Sequence, residues 1–246
     1  MKVLSGAVWL ILLFLHANSA TAAVMLYGTR VIYDAGKREQ LVRLSNESDS
    51  PLLIQAWLDD GVEKAVAEQK VPFILTPPVF RMSARQGQVL RMQYTGEALP
   101  EDRESVFYLN VLEIPPKPKI DNGQNTLQLA LRSRVKVFFR PIALAEGPKD
   151  LGGKLKWRLV KENGATALEV LNPTGFYASF ANASVQAKGK RHSLETNMLG
   201  PGETRIFRFT SQVPGNVDME KVEFNLINDI GANAFSIFTL QDKNKN

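Results

Sequence analysis

From Leu127 to Phe139 the chain reads L-Q-L-A-L-R-S-R-V-K-V-F-F, apolar at six of the seven odd positions, with Arg132, Arg134 and Lys136 among the even ones. A period of two suits only a strand with one apolar face. At about 3.3 Å per residue such a strand is about 40 Å long, roughly twice the usual length. Its leucine end would then overrun the core into which its valine and phenylalanine end packs. Periodicity admits two readings. One is an ordinary core strand of a β-sandwich. The other, if the strand lies near a sheet edge, is that Leu127, Leu129 and Leu131 are lent to another protein by strand addition, while Arg132, Arg134 and Lys136 solvate the opposite face and discourage uncontrolled pairing.

Short alternating or apolar runs precede this one at Val24–Tyr33, Gln40–Leu44, Leu52–Leu58, Val71–Leu75, Val89–Tyr94 and Val106–Leu112. Turn residues separate them and no helical pattern intervenes, so the fold class is all-β, with an immunoglobulin-like sandwich first. Asp60-Gly61 and Asn122-Gly123 are turn signals, Pro115-Pro116-Lys117-Pro118 starts a stiff extended loop, and Thr76-Pro77-Pro78 breaks one strand and restarts another, its first peptide bond cis or trans. Pro141 ends the long strand, and Glu146-Gly147-Pro148 has no apolar rhythm.

A second β pattern follows, with runs at Trp157–Val160, Ala167–Leu171, Tyr177–Val185, Thr204–Phe209, Val222–Ile227 and Ala234–Leu240, and a hairpin signature at Glu162-Asn163-Gly164. Met1-Lys2, the apolar run Ala7–Leu15 and the small residues up to Ala23 have the form of a cleavable secretory signal. The expected organisation is a signal over 1–22, an N-terminal immunoglobulin-like domain over 23–141 carrying the long strand, a linker over 142–149, and a C-terminal immunoglobulin-like domain over 150–246. The two domains are expected to meet at an angle. The tail Lys243–Asn246 is expected to be disordered.

Composition removes several function classes. No cysteine is present, so an exported chain of this kind depends on packed cores for stability and offers no thiol nucleophile. The formal charge of +5 is spread singly along the strands, without the dense patches of a nucleic-acid binder, and no later apolar run approaches the length of a membrane span. With His16 in the signal, His192 in a turn-like G-K-R-H-S stretch is the remaining histidine, too little for a metal cluster or a catalytic imidazole pair. Glu101, Asp102 and Glu104 form the nearest acidic constellation, and charges before a strand are usually solvated or structural. There is no glycine-rich phosphate loop and no EF-hand, so no cofactor or metal is expected, and an enzyme is not the reading.

The segment Leu99-Pro100-Glu101-Asp102-Arg103-Glu104-Ser105-Val106-Phe107-Tyr108-Leu109-Asn110-Val111-Leu112-Glu113-Ile114-Pro115 resembles the signature of the PapD-like periplasmic pilus chaperones. Supporting matches occur at Gly28–Tyr33, Thr76–Arg81, Arg134–Pro141 and Ile227–Gly231, in family order across nearly the whole mature chain. The resemblance implies a periplasmic chaperone that holds pilus or fimbrial subunits by donor-strand complementation and delivers them to an outer-membrane usher. The row Leu127, Leu129 and Leu131 then resembles the donor strand, each leucine contributing about 1.5–3 kcal/mol if fully buried.

The family also anchors the subunit's terminal carboxylate with two cations, and the matching positions are Arg30 and Lys136. In isolation each reads as an exposed strand cation. Glu104, Arg140 and Asp229 match a charge network that sets the angle between domains. The moderate stretch Pro115–Thr126 and the lack of cysteines are similar to the short-loop, rod-pilus group. Two rival readings remain: a chaperone for a thin or non-pilus surface fibre, and an adhesive or carbohydrate-binding pair of sandwiches. Self-association of the free chain through its exposed strands also stays open.

Overall fold

Gly28 decides how the chain enters the fold. The single apolar run Val24–Tyr33 is two strands, β1 (Val24–Leu26) and β2 (Arg30–Asp34), on opposite sheets, and between them Gly28 has φ 108°, a conformation that costs a side chain dearly. The computed structural model describes residues 23–62, 65, 70–117, 127–187, 189–211 and 219–240. The signal over 1–22, Pro118, Asn122-Gly123 and the tail Lys243–Asn246 lie outside the described residues.

The first sandwich is completed by β3 (Gln40–Asn46), β4 (Leu52–Asp59), β5 (Phe73–Thr76), β6 (Val79–Met82), β7 (Gly87–Tyr94), β8 (Ser105–Ile114) and β9 (Leu131–Arg140). One sheet has the order β1-β3-β7-β5 and the other β2-β9-β8-β4-β6. The Thr76–Pro77 peptide that separates β5 from β6 is cis. Alternating side chains from both sheets, among them Leu44, Ile54, Leu90, Met92, Leu109 and Val137, make the core. Tyr33 is buried against Phe73 and Phe139, and its hydroxyl accepts from the Tyr94 N–H at 3.0 Å.

Within the expected linker Ile142–Leu144 form a 3-10 turn, and α1 (Leu151–Lys154) follows, its first turn capped by the Asp150 carboxylate, which accepts from Gly153 N–H at 3.1 Å. The second sandwich contains β10 (Lys156–Glu162), β11 (Ala165–Leu171), β12 (Phe180–Ala187), β13 (Lys190–Ser193), β14 (Thr204–Phe207), β15 (Met219–Ile227) and β16 (Asn233–Thr239). Their orders are β10-β11-β14 and β13-β12-β15-β16 around a separate core that includes Trp157, Leu168, Val185, Phe207 and Phe224. Asn163 and Gly164 both have positive φ, 50° and 81°, the two-residue turn that closes β10 onto β11. The stretch holding His192 is not a turn, as its composition had implied, but the edge strand β13, paired with β12.

The long alternating run is a strand over Leu131–Arg140 only, and Leu127–Ala130 lie outside it. A strand needs a partner, and β8 supplies one only as far as the Glu113↔Leu131 pair. Beyond Ile114 the partner chain continues as Pro115-Pro116, which have no N–H to give to a ladder. Two glycines let the sandwiches approach. Glu104 N–H donates to Gly175 O at 2.8 Å, and a Cβ on Gly175 would sit 2.8 Å from Asp102 O and 3.0 Å from a Leu144 methyl. A Cβ on Gly231 would sit 2.5 Å from Thr29 Oγ1. Because the first neighbour of Gly175 is backbone, Gly175→Ala is expected to cost about 1–3 kcal/mol in a denaturant titration and to displace one sandwich from the other in small-angle scattering.

Candidate functional site

Strand β9 has two different edges. On one side β8 covers it from Leu131 to Phe139. On the other, β2 pairs with it in parallel from Arg30↔Lys136 to Asp34↔Arg140, so the stretch Leu131–Val135 has no neighbour among the described residues. The strand is therefore internal at one end and an open edge at the other. Its odd side chains continue one face: Val137 and Phe139 are in the core, Val135 packs against it, and Leu131, Leu129 and Leu127 run past it with 53%, 64% and 83% exposure. Burying such a row is favourable, and exposing it is not.

The open lane beside β9 ends where β2 begins, at Arg30. Register sets Arg30 directly beside Lys136, two cations on adjacent strands. Neither is the exposed cation that its place on a strand suggested: both are half-buried. Arg30 donates through Nη1 to Ile227 O of the second sandwich at 2.8 Å and lies over the Phe138 ring at 5.6 Å. Its Nε is buried without a hydrogen-bond partner. Lys136 makes no ion pair among the described residues. Burial and then the charge of Arg30 hold the Lys136 ammonium below its ordinary 10.5. The charges of Asp229 and Glu104 reach Arg30 without forming an ion pair. Two partly desolvated cations with no carboxylate in ion-pairing distance among the described residues thus form a site that an anion would relieve.

A second cluster joins the sandwiches around Arg140, which follows Lys136 on the same face of β9, and is saturated instead. Arg140 holds Asp229 through Nη1 and Nη2 at 2.7 and 2.9 Å and Glu104 through Nε at 2.9 Å. The other Glu104 oxygen accepts from Tyr177 N–H at 2.9 Å. Glu104 and Arg140 are both buried and Asp229 is half-exposed, and desolvation pushes the Glu104 carboxyl above the ordinary 4.5 against the pull of Tyr177 N–H and Arg140. Of the acidic constellation named from composition, Glu104 alone joins this cluster, while Glu101 and Asp102 are exposed. Asp59 and Tyr108, which meet Arg134, and Tyr177, which bonds Glu104, are not singled out as site residues by the sequence; Asp59 only precedes a turn and Tyr108 lies within the Leu99–Pro115 segment.

The family model described as the pili and flagellar-assembly chaperone, PapD N-terminal domain, matches residues 23–145, and that of the PapD C-terminal domain matches 150–235. The chain belongs to the PapD-like pilus-assembly chaperones. It is 41% identical over 219 residues to the probable fimbrial chaperone YadV of Escherichia coli K12, covering 87% of this chain and 89% of that protein. The crystal structure of the YadV chaperone superposes with a TM-score of 0.76 at 38% identity, covering 89% of this chain and all of the other. The SafB chaperone of Salmonella enterica, solved in complex with the SafA pilin, is similar at a TM-score of 0.72 and 29% identity over 90% of this chain and 98% of the other. No helix among the described residues is long and apolar enough to cross a membrane.

The two clusters differ in how they respond to loss. Arg140→Ala leaves Glu104 buried and unpaired, which is expected to cost about 3–5 kcal/mol in chemical unfolding near neutral pH. Because the folded-state pKa of Glu104 is raised, the penalty of its charge is present above that pKa and is relieved as the pH falls through it toward 4.5, so the variant and wild-type curves should converge on acidification. Lys136→Met has the opposite expectation. The lowered folded-state pKa means that the charge is a cost below it, so melting at neutral pH should be unchanged or higher by a few degrees, and the difference should vanish as the pH rises through the Lys136 pKa toward 10.5.

Proposed function

We propose that this protein captures pilus subunits in the periplasm by lending β9 as a missing strand, holds the subunit's terminal carboxylate between Arg30 and Lys136, and passes the subunit to an outer-membrane usher. The observation that carries the reading is the open edge Leu131–Val135, with an exposed leucine row continuing the core face and an unpaired cation pair at its closed end. An added strand would occupy the lane of β2. If its carboxylate meets Arg30 and Lys136, it must run toward them, parallel to β9 as β2 is. A one-residue slip would turn its apolar side chains away from Leu127, Leu129 and Leu131, so the anchored end and the alternation select the same register.

The division into a signal over 1–22, a lending sandwich over 23–141, a linker over 142–149 and a second sandwich over 150–246 is part of this proposal. Two cores on either side of Ile142–Leu144 support it. Glu104, Arg140 and Asp229 serve as the lock on the interdomain angle, supported by a guanidinium that bonds a carboxylate from each sandwich. Membership of the short-loop, rod-pilus group rests on the length of Pro115–Thr126.

The test is calorimetry with a synthetic peptide of a pilin's C-terminal strand. The free acid is expected to bind tens to thousands of times more tightly than the amide, equivalent to about 2–5 kcal/mol, and Leu129→Glu should remove binding without unfolding the protein. Equal affinity of the two peptides for wild-type protein would sink the carboxylate anchor.

A further inference from the structure

Alternation rules out a one-residue slip of an added strand but not a two-residue slip, which keeps every side chain on its face. The leucine row therefore does not distinguish a chain end at Lys136 from one docked two residues earlier. At that earlier position, on the same strand face as Lys136, is Arg134. Something else must keep a carboxylate from stopping there.

Arg134 does not face the open lane. It extends the other way, across the neighbouring strand, with its guanidinium 4.0 Å over the Tyr108 ring of β8 and an ion pair to Asp59 on β4. That is two strands, about 10 Å, from β9 and away from the open edge. The Asp59 carboxylate is itself held: it accepts from Asn110 Nδ2 at 2.6 Å and from Gly61 N–H at 2.8 Å, and its side chain is 9% exposed. Burial alone would raise its pKa, but the bonds from Asn110, Gly61 and Arg134 outweigh it and keep the carboxyl below its ordinary value, so the charge that matches Arg134 persists at neutral pH. Tyr108, in register with Lys136, is closed on by Gly61, where a Cβ would lie 3.0 Å from the ring.

Resting on the strand-addition reading above, we propose that Asp59 is a positioning residue for register: it draws Arg134 across Tyr108, away from the open lane, and so leaves Arg30 and Lys136 as the place where an added strand's carboxylate docks. Arg132, a further two residues back, makes no ion pair among the described residues. A four-residue slip to it gives up most of the open stretch Leu131–Val135, and with it the backbone bonds that hold the strand.

The experiment uses a synthetic peptide of alternating valine and serine, as free acid and as amide, with a photoreactive residue at one fixed position. In wild-type protein the free acid is favoured and cross-links at one site along β9. In Arg30→Gln/Lys136→Met the preference is expected to fall to about one, because Arg134 is engaged elsewhere. Adding Asp59→Asn, which keeps the shape of the side chain but not its charge, should restore a preference of roughly fivefold, with the cross-link moved by two residues, and adding Arg134→Gln should remove it again.

A double variant that keeps a free-acid preference with a two-residue shift overturns the proposal, since Arg134 would then be available with Asp59 intact. A folded triple variant that regains no preference also overturns it. Should Asp59→Asn fail to fold by circular dichroism, the double variant decides alone. Loss of the wild-type preference would instead overturn the anchor reading on which this rests.

Discussion

The hydrogen-bonding capacity of β9 is shared unequally between its two edges, and the rest of the molecule is arranged around that inequality. β8 occupies one edge for nine residue pairs, whereas β2 occupies the other for only five. β2 starts late because Gly28 turns the chain out of the first sheet and into the second. Had β1 and β2 been one straight strand, the lane beside Leu131–Val135 would have been filled from within. The break therefore leaves an open edge and defines the residue at which it closes, Arg30. An open edge with apolar side chains invites uncontrolled pairing, and the cations Arg132, Arg134 and Lys136 on the opposite face temper that tendency.

The same sheet carries charges in two physical states. Arg140 is enclosed by carboxylates from both sandwiches and by a Phe176 ring at 5.3 Å, so its charge is met within the protein. Arg30 and Lys136, a few residues back, are partly desolvated and face each other without a carboxylate within ion-pairing distance among the described residues. A saturated cluster stabilises a geometry, whereas an unsaturated one stores a preference for something that is absent. The family to which the chain belongs assembles pili, and on the proposed reading the stored preference is for the end of a subunit chain.

Much of this was legible from residue order. Alternation marked both apolar faces, Pro115-Pro116 and Asn163-Gly164 marked where strands stop and turn, and the leucine row stood out because it was too long for a core. The split at Gly28 and the strand character of Lys190–Ser193 were not legible, because a glycine within an alternating run and a polar edge strand both resemble other things until their partners are known. Arg30, Lys136, Glu104, Arg140 and Asp229 came from resemblance, since nothing in a lone cation or carboxylate tells whether it is solvated.

The sequence by itself determined the periodicities, and therefore which side chains share a face, because the strand pleat alternates whatever the strand pairs with. It also determined that no disulfide contributes. Only the tertiary structure decided which edges are filled, because pairing depends on segments distant in the chain. Arg30 meets Lys136 across 106 positions, and Asp59 reaches Arg134 across 75. Whether a charge is matched, desolvated or turned away from an open lane is a property of those meetings, and local residue order does not carry it.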